Sequence, residues 1–393
     1  MRHAVIGALV IAGIVALSVV VGHRQPEPVG RAAILGSVIA EVEAGRSSTP
    51  ILGDQTDGGD RVVTFLARRD GDRVPRIVSD VTGWGEHLDG TFDFSVGAMT
   101  PVGGSEWYAL EARVAPGARI EYLIAYGAGD YRLDPHNARP GLEQPPASEF
   151  VMPEYVPPEE FSGRPVSAAG RVAETVFDSN ALGRECRLAV YTPPGYRRDG
   201  AYPLAVFPDR PSGPVPRVLD WLIARGAIEP IVAVFAETYV RGAASVPAEE
   251  MRAFLTRELP AWLAPRYGVT RSADRRAIIG ISFSAKDALD AALAPAGTFG
   301  RLGMLIPGRR ITRTDIDGVA SQHPRRLRVA ILAGRYDSAN RATAQGVRRA
   351  LADAGHLVDY LEVPEGHTPR TWRNHLREVL VSLFGPLSAG ERR

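Results

Sequence analysis

Only one cysteine, Cys186, occurs in the 393-residue chain. This excludes an internal disulfide and any cysteine-based metal site. Lysine is as scarce: Lys286 stands alone, and arginine carries the rest of the positive charge. We read that bias as codon usage in a GC-rich genome, with no function attached. Excess charge of either sign is also missing. A net charge of +1 points to no nucleic-acid partner. Two serine-enzyme motifs are incomplete as well. No full G-x-S-x-G surrounds Ser282, and S-x-x-K fails because Ala285 stands where its lysine would be. This argues against a penicillin-binding or β-lactamase mechanism.

What is present begins with an uncharged run at residues 4–22, long enough to span the hydrocarbon core of a bilayer as a helix. We read it as an uncleaved anchor in preference to a cleaved signal peptide, because it exceeds a usual h-region and no clean A-x-A site follows. Arg2 and Arg24 flank it on both sides, so charge does not set its orientation. The expectation is a protein of the cell envelope, touching the membrane through this helix, with its catalytic domain outside the cytoplasm.

The remaining chain is ordinary globular material, 45% hydrophobic and 23% charged, and long enough for two domains. The reading divides it as 1–24 anchor or signal, 25–50 spacer and short helix, 51–150 β-sandwich, 151–167 linker and 168–386 catalytic domain. Ala33, Leu35, Val38, Ile39 and Val42 fall at helical spacing, a candidate docking helix over 31–44. Short β runs at 62–67, 76–79, 107–114 and 119–125, separated by Gly and Asp turns, predict an all-β sandwich. Trp84 is read as a core tryptophan of that sandwich rather than a sugar-stacking one. From 171 onward the pattern becomes β runs at 171–177, 185–191, 204–207, 231–235 and 277–279, with helices at 217–225 and 249–267. Strands alternating with helices predict a mostly parallel sheet flanked on both faces.

The chemistry gathers around residues 276–286, R-A-I-I-G-I-S-F-S-A-K. A buried strand, a tight turn with Ser282 at it, and a helix over 284–293 form the context of a nucleophile elbow, with Gly280 expected to supply the turn. Downstream, Asp337 follows the apolar strand 327–333, and His367 follows the strand 358–363. The order Ser, Asp, His, each just beyond a strand end, is that of the α/β hydrolases. A serine hydroxyl needs a base, for which His367 is the candidate, and the base needs an orienting acid, Asp337. The backbone N–H groups of Phe283 and of Arg210, after strand 204–207, are the candidate oxyanion donors. Glu237, Arg241 and Trp372 are candidate substrate contacts. His375 falls inside a predicted helix and is the weaker base. The chemistry calls for no metal or organic cofactor, and its partner is a small-molecule ester.

These motifs resemble the enterochelin (ferric-enterobactin) esterase-like branch of the α/β hydrolases. The matches are V-Y-T-P-P-G-Y at 190–196, R-E-L-P at 257–260, I-G-I-S at 279–282, G-R-Y-D at 334–337, and G-H-T at 366–368 with Trp372. V-T-G-W at 81–84, Trp107-Tyr108, P-G-A-R-I-E-Y at 116–122 and L-D-P-H-N at 133–137 are similar to the immunoglobulin-like (early-set) N-terminal domain of the same proteins. The resemblance spans roughly residues 35 to 385 and implies an α/β hydrolase preceded by an immunoglobulin-like sandwich. It implies a serine esterase acting on siderophore-type esters, with sugar acyl esters open. The chain departs from the family at Ser284-Ala285, where Gly-Gly is usual, and at Asp209-Arg210, where Asp-Gly is usual. Two other readings remain: an acyltransferase resembling the mycolyltransferases, and a non-catalytic envelope protein that binds carbohydrate.

Overall fold

Residues 29–386 are described by a computed structural model, apart from 86–90, 92, 138, 140–145, 164–165, 210–212, 241–244 and 320–324. The expected anchor at 4–22 lies outside the described residues. Among those described, no helix is long and apolar enough to cross a membrane.

The first helix, α1 (Val29–Glu43), docks on the β region as its spacing predicts. Leu35, Ile39 and Val42 are buried against Leu66, Trp107 and Ala109. Each such side chain contributes about 1.5–3 kcal/mol by leaving water. The Trp107 indole also donates to Glu43 at 2.9 Å, tying the helix end to the sheet.

Two antiparallel sheets follow. One has the order β1 (Ile51–Gln55), β2 (Arg61–Arg68), β5 (Trp107–Val114), β4 (Thr100–Pro101). The other runs β3 (Arg76–Ser79), β6 (Arg119–Gly127), β7 (Asp130–Arg132), with β8 (Ser148–Val151) also paired to β6. Val63 and Phe65 from one sheet pack against Ile77, Ile120 and Tyr122 from the other, so the two sheets close on one core. Strands β1, β4, β7 and β8 escaped the sequence reading. They are short or lack a run of alternating apolar residues, and pairing across the sheet is what makes them strands.

The second domain is built on an eight-stranded sheet. Its order is β16 (Leu357–Val363), β15 (Arg328–Gly334), β14 (Arg301–Leu305), β13 (Arg276–Ile281), β11 (Leu204–Phe207), β12 (Val232–Ala236), β10 (Arg184–Thr192), β9 (Arg171–Ser179). The six strands from β11 to β16 are parallel, and β10 alone runs the other way, pairing antiparallel with both β12 and β9. Successive side chains on a strand face opposite ways. Ile278 accordingly joins the core under α5 (Ala285–Ala292), while Ile279 joins the one under α2 (Val215–Ala224) and α9 (Leu376–Phe384). Helix α7 (Ser338–Asp353) lies on the first face, contributing Ala344, Val347 and Leu351.

The single helix read over 249–267 is three pieces: α3 (Ala248–Ala253), a π turn (Phe254–Glu258) and α4 (Leu259–Tyr267). Pro260 has no N–H to continue an α-helical ladder, and the wider turn falls immediately before it. Short helices α6 (Arg313–Gly318) and α8 (Pro369–Asn374) complete the domain.

The segment read as a linker is not a free spacer. Tyr155 accepts from Asn374 at 2.7 Å, and the buried Glu160 pairs with Arg377 at 3.2 Å.

Candidate active site

At the end of β13 the chain enters a sharp turn, and the backbone that pays the conformational penalty is Ser282 itself, at φ +47°. A non-glycine residue in this region is uncommon and marks strain held by its surroundings. Gly280, expected to make the turn, is instead the fifth residue of β13. Its role is close approach. A Cβ there would lie 2.5 Å from the Cα of Ala285 and 2.5 Å from the carbonyl oxygen of Ser284. Ser284, fully buried, then closes the turn. Its Oγ accepts from the Ile281 N–H at 2.8 Å and donates to the Ile281 carbonyl at 3.1 Å. The departure from Gly-Gly thus supplies a hydrogen-bonded brace, with Ser284 in ordinary helical geometry.

The turn delivers Ser282 Oγ to 2.7 Å from His367 Nε2, and His367 Nδ1 stands 2.6 Å from Asp337 Oδ2. The tautomer with Nδ1 protonated donates to Asp337 and leaves Nε2 free to accept from the serine hydroxyl. Asp337 is buried in the loop after β15, and His367 sits in the loop after β16. The Tyr336 N–H donates to the Glu365 carbonyl at 3.1 Å, joining the two loops.

Asn340, in the first turn of α7, was not singled out in the sequence. Its Nδ2 donates to Asp337 Oδ1 at 2.7 Å and lies 3.3 Å from His367 Nδ1. A signal existed in D-S-A-N at 337–340, where a donor three residues after an acid returns to it from a helical turn.

Ser282 and His367 open on a cleft of about 620 Å³, with Asp337 buried behind them. Ser282, Phe283, His367 and Asn340 line one side, and Trp84, Glu121 and Leu123 of the sandwich line another. Trp84 is therefore a cleft residue and not the core tryptophan expected. Its ring is half-buried and its indole donates to Asp80 at 2.9 Å.

Phe283 is 51% exposed beside the serine. The Arg310 guanidinium lies 4.1 Å from its ring centroid and donates to its carbonyl at 3.0 Å. Arg310 also pairs with Asp287 at 2.8 Å, and Tyr239 donates to the same carboxylate. Burial pushes the Asp287 carboxyl up, while the Arg310 charge and hydrogen bond pull it back.

The other expected contacts do not come together here. Glu237 is bound across the sheet to Arg187 and does not line the cleft. Trp372 packs against the core below α9 and is likewise no cleft residue. Arg210 and Arg241 lie outside the described residues. His375 faces Glu365 at 3.1 Å, away from Ser282, and Lys286 pairs with Asp290. Among the described residues, no cluster of His, Cys, Asp and Glu has the form of a metal site.

Residues 179–383, more than half the chain, match the family described as Putative esterase. The chain belongs to that family. It is an ester-hydrolysing enzyme with an α/β-hydrolase fold. Among solved structures, this esterase is similar to the ferric enterobactin esterase of Salmonella typhimurium. Identity is 18% and the TM-score 0.64, over 85% of this chain and 96% of that one. It is similar to the enterobactin esterase of Shigella flexneri, solved in the presence of enterobactin, at 19% identity and TM-score 0.62, over 85% and 95%. A ferulic acid esterase from Anaeromyces mucronatus, in complex with ferulic acid, aligns at 14% identity and TM-score 0.50, over 58% and 96%. At such identities the likeness is one of fold. No curated protein matches the chain.

Proposed function

We propose that this esterase is a serine carboxylic-ester hydrolase acting through an acyl-enzyme on Ser282. The observation that carries the reading is the unbroken line from Ser282 Oγ to His367 to Asp337, at 2.7 and 2.6 Å. Ser282 Oγ attacks the ester carbonyl while His367 Nε2 takes its proton. Asp337 holds the imidazole by Nδ1 and stabilises it when charged. The carbonyl electron pair moves onto oxygen, where the Phe283 N–H and a donor from the loop beyond β11, at Arg210, receive it. Collapse expels the alcohol, which takes the proton from His367. Water, deprotonated by the same base, then releases the carboxylic acid and restores Ser282.

For the substrate we propose a siderophore-type ester, with sugar acyl esters second. The exposed Phe283 ring and Trp84 at the cleft give flat apolar surfaces, and the Arg310 guanidinium, paired with Asp287, sets N–H donors beside the Phe283 ring. A ligand with aromatic rings and anionic or phenolic oxygens suits both features. The Shigella flexneri relative is an enterobactin esterase, solved in the presence of enterobactin, and this supports the siderophore-type reading. An envelope location, resting on the run at 4–22, belongs to the same proposal and is tested by cell fractionation.

The deciding experiment pairs the parent with Ser282→Ala, using a fluorophosphonate probe and short nitrophenyl esters. Labelling and turnover in the parent, both lost in the variant, are the expected result. A folded parent that does neither would remove the reading. A screen of siderophore and sugar esters follows from success.

A further inference from the structure

The loop carrying His367 is gripped from the β-sandwich. Arg119, the first residue of β6, is 1% exposed. Its Nη2 donates to Thr368 Oγ1 at 3.0 Å and stands 3.4 Å from Glu365 Oε2. Its Nη1 donates to Glu121 Oε1 at 2.7 Å and to Glu149 Oε1 at 3.2 Å, both on the sandwich. Glu365 and Thr368 bracket His367 in the chain. Between them Gly366 lies so close to the sandwich that a Cβ on it would meet Asp80 Oδ1 at 1.8 Å. Asp80 is itself fixed, accepting from the Glu121 N–H at 2.8 Å and the Trp84 indole at 2.9 Å. Arg370, just beyond the loop, reaches back to Glu149 at 2.7 Å.

Stability does not account for this grouping. Burying charges costs several kcal/mol each in desolvation, and apolar replacements of such networks are often neutral or stabilising. What a buried guanidinium supplies is geometry. Its planar fork offers two nitrogens in a fixed relation, one here facing the sandwich carboxylates and the other the His367 loop. The domain that bears the serine holds residues 365–368 as well, through the Asp337–His367 and His375–Glu365 pairs, Thr371 to Thr368 and the Tyr336 N–H to the Glu365 carbonyl, so among the described residues Arg119 adds a buried cation that ties the same loop to the sandwich.

We propose that Arg119 is a positioning residue for His367, which makes the β-sandwich a structural half of the catalytic centre as well as a wall of the cleft. This rests on the reading of Ser282, His367 and Asp337 as the catalytic set. A shift of about 1 Å in a catalytic group can cost on the order of 100-fold in rate, so a loop held from another domain places that domain in control of turnover.

The test is Arg119→Lys in the full chain. It keeps the cation that the buried carboxylates need and removes the fork. With far-ultraviolet circular dichroism unchanged, kcat on a nitrophenyl ester falls about 10- to 100-fold, while KM moves by less than about threefold. A double-mutant cycle separates positioning from general damage. In a His367→Ala background, Arg119→Lys causes no further loss in the slow residual rate, because the base it positions is gone. An undiminished kcat, or an equal loss in both backgrounds, overturns the proposal. Should Arg119→Lys fail to fold, Gly366→Ala probes the neighbouring contact of the His367 loop with Asp80 of the sandwich: it lowers kcat, and Asp80→Ala in the same chain restores part of it, whereas no restoration overturns the proposal that the sandwich positions this loop. If Ser282→Ala or His367→Ala turns over like the parent, the catalytic assignment itself falls, and the positioning proposal with it. If both are inactive and Arg119→Lys is not, only the positioning proposal falls.

Discussion

Asn340 holds Asp337 by the carboxylate oxygen that His367 does not use: Nδ2 to Oδ1 at 2.7 Å, with Oδ2 left for His367 Nδ1 at 2.6 Å. A carboxylate with both oxygens committed cannot rotate, so the imidazole it faces cannot either. Asn340→Leu leaves the buried Oδ1 without this donor. A hydrogen bond to a charged group contributes about 1.5–3 kcal/mol, so kcat on a nitrophenyl ester falls by roughly tenfold or more, with KM little changed.

At the elbow, Gly280→Ala forces a Cβ into the backbone of Ser284 and Ala285. Neither is a flexible side-chain end, so strand and helix must separate. The expected result is a loss of about 4 kcal/mol or more in urea unfolding, or failure to fold, far beyond the usual effect of adding one methyl group. Ser284→Ala is milder. It leaves the buried Ile281 N–H without its acceptor, costing about 1–3 kcal/mol, and the slackened turn slows fluorophosphonate labelling of Ser282.

Asp80 sets a pH dependence. Burial pushes its carboxyl up to about 7, against the hydrogen bonds from the Glu121 N–H and Trp84. The folded state therefore keeps a proton that the unfolded state releases near its ordinary value of 3.8. Where the native state binds more protons, stability falls as pH rises. The contribution is full below about pH 3.8, is lost between there and about 7, and is level above. Asp80→Ala lacks this titration. The difference in unfolding midpoint between parent and variant, followed from pH 4 to 8, is expected to shrink through that window. A difference independent of pH would refute it.

The two domains also meet at Tyr336, whose hydroxyl accepts from the Ala115 N–H at 2.7 Å. Tyr336→Phe leaves that sandwich N–H unpaired at the interface, at about 1–3 kcal/mol in urea unfolding. Because Tyr336 directly precedes Asp337, a parallel fall in kcat would show that domain contact and catalysis share one loop.

Local patterns were enough to read the elbow and the docking helix. Ala277, Ile278 and Ile279 are apolar on both faces because a central parallel strand is covered on both sides, and Leu35, Ile39 and Val42 repeat at the period of one helix face. Ser282, Asp337 and His367 could be picked out because each stands just past a strand end, a relation written in a few neighbouring residues. Strand β14, R-L-G-M-L, gave little sign, being five residues with a glycine at its centre. Glu237 and Trp372 looked like cleft residues only by being near strand or loop ends; their partners, Arg187 and the core under α9, come from distant parts of the chain.

The sequence by itself thus determined the strands and helices with clear periodicity and the order of the serine, acid and histidine, since these follow from short-range spacing. Only the tertiary structure decided that Ser282 rather than Gly280 carries the turn, that Trp84 faces the cleft, and that Arg119 reaches the His367 loop. Those depend on backbone approach and charge pairing between segments as far apart as residues 119 and 368, and no local pattern records which buried arginine will meet which loop.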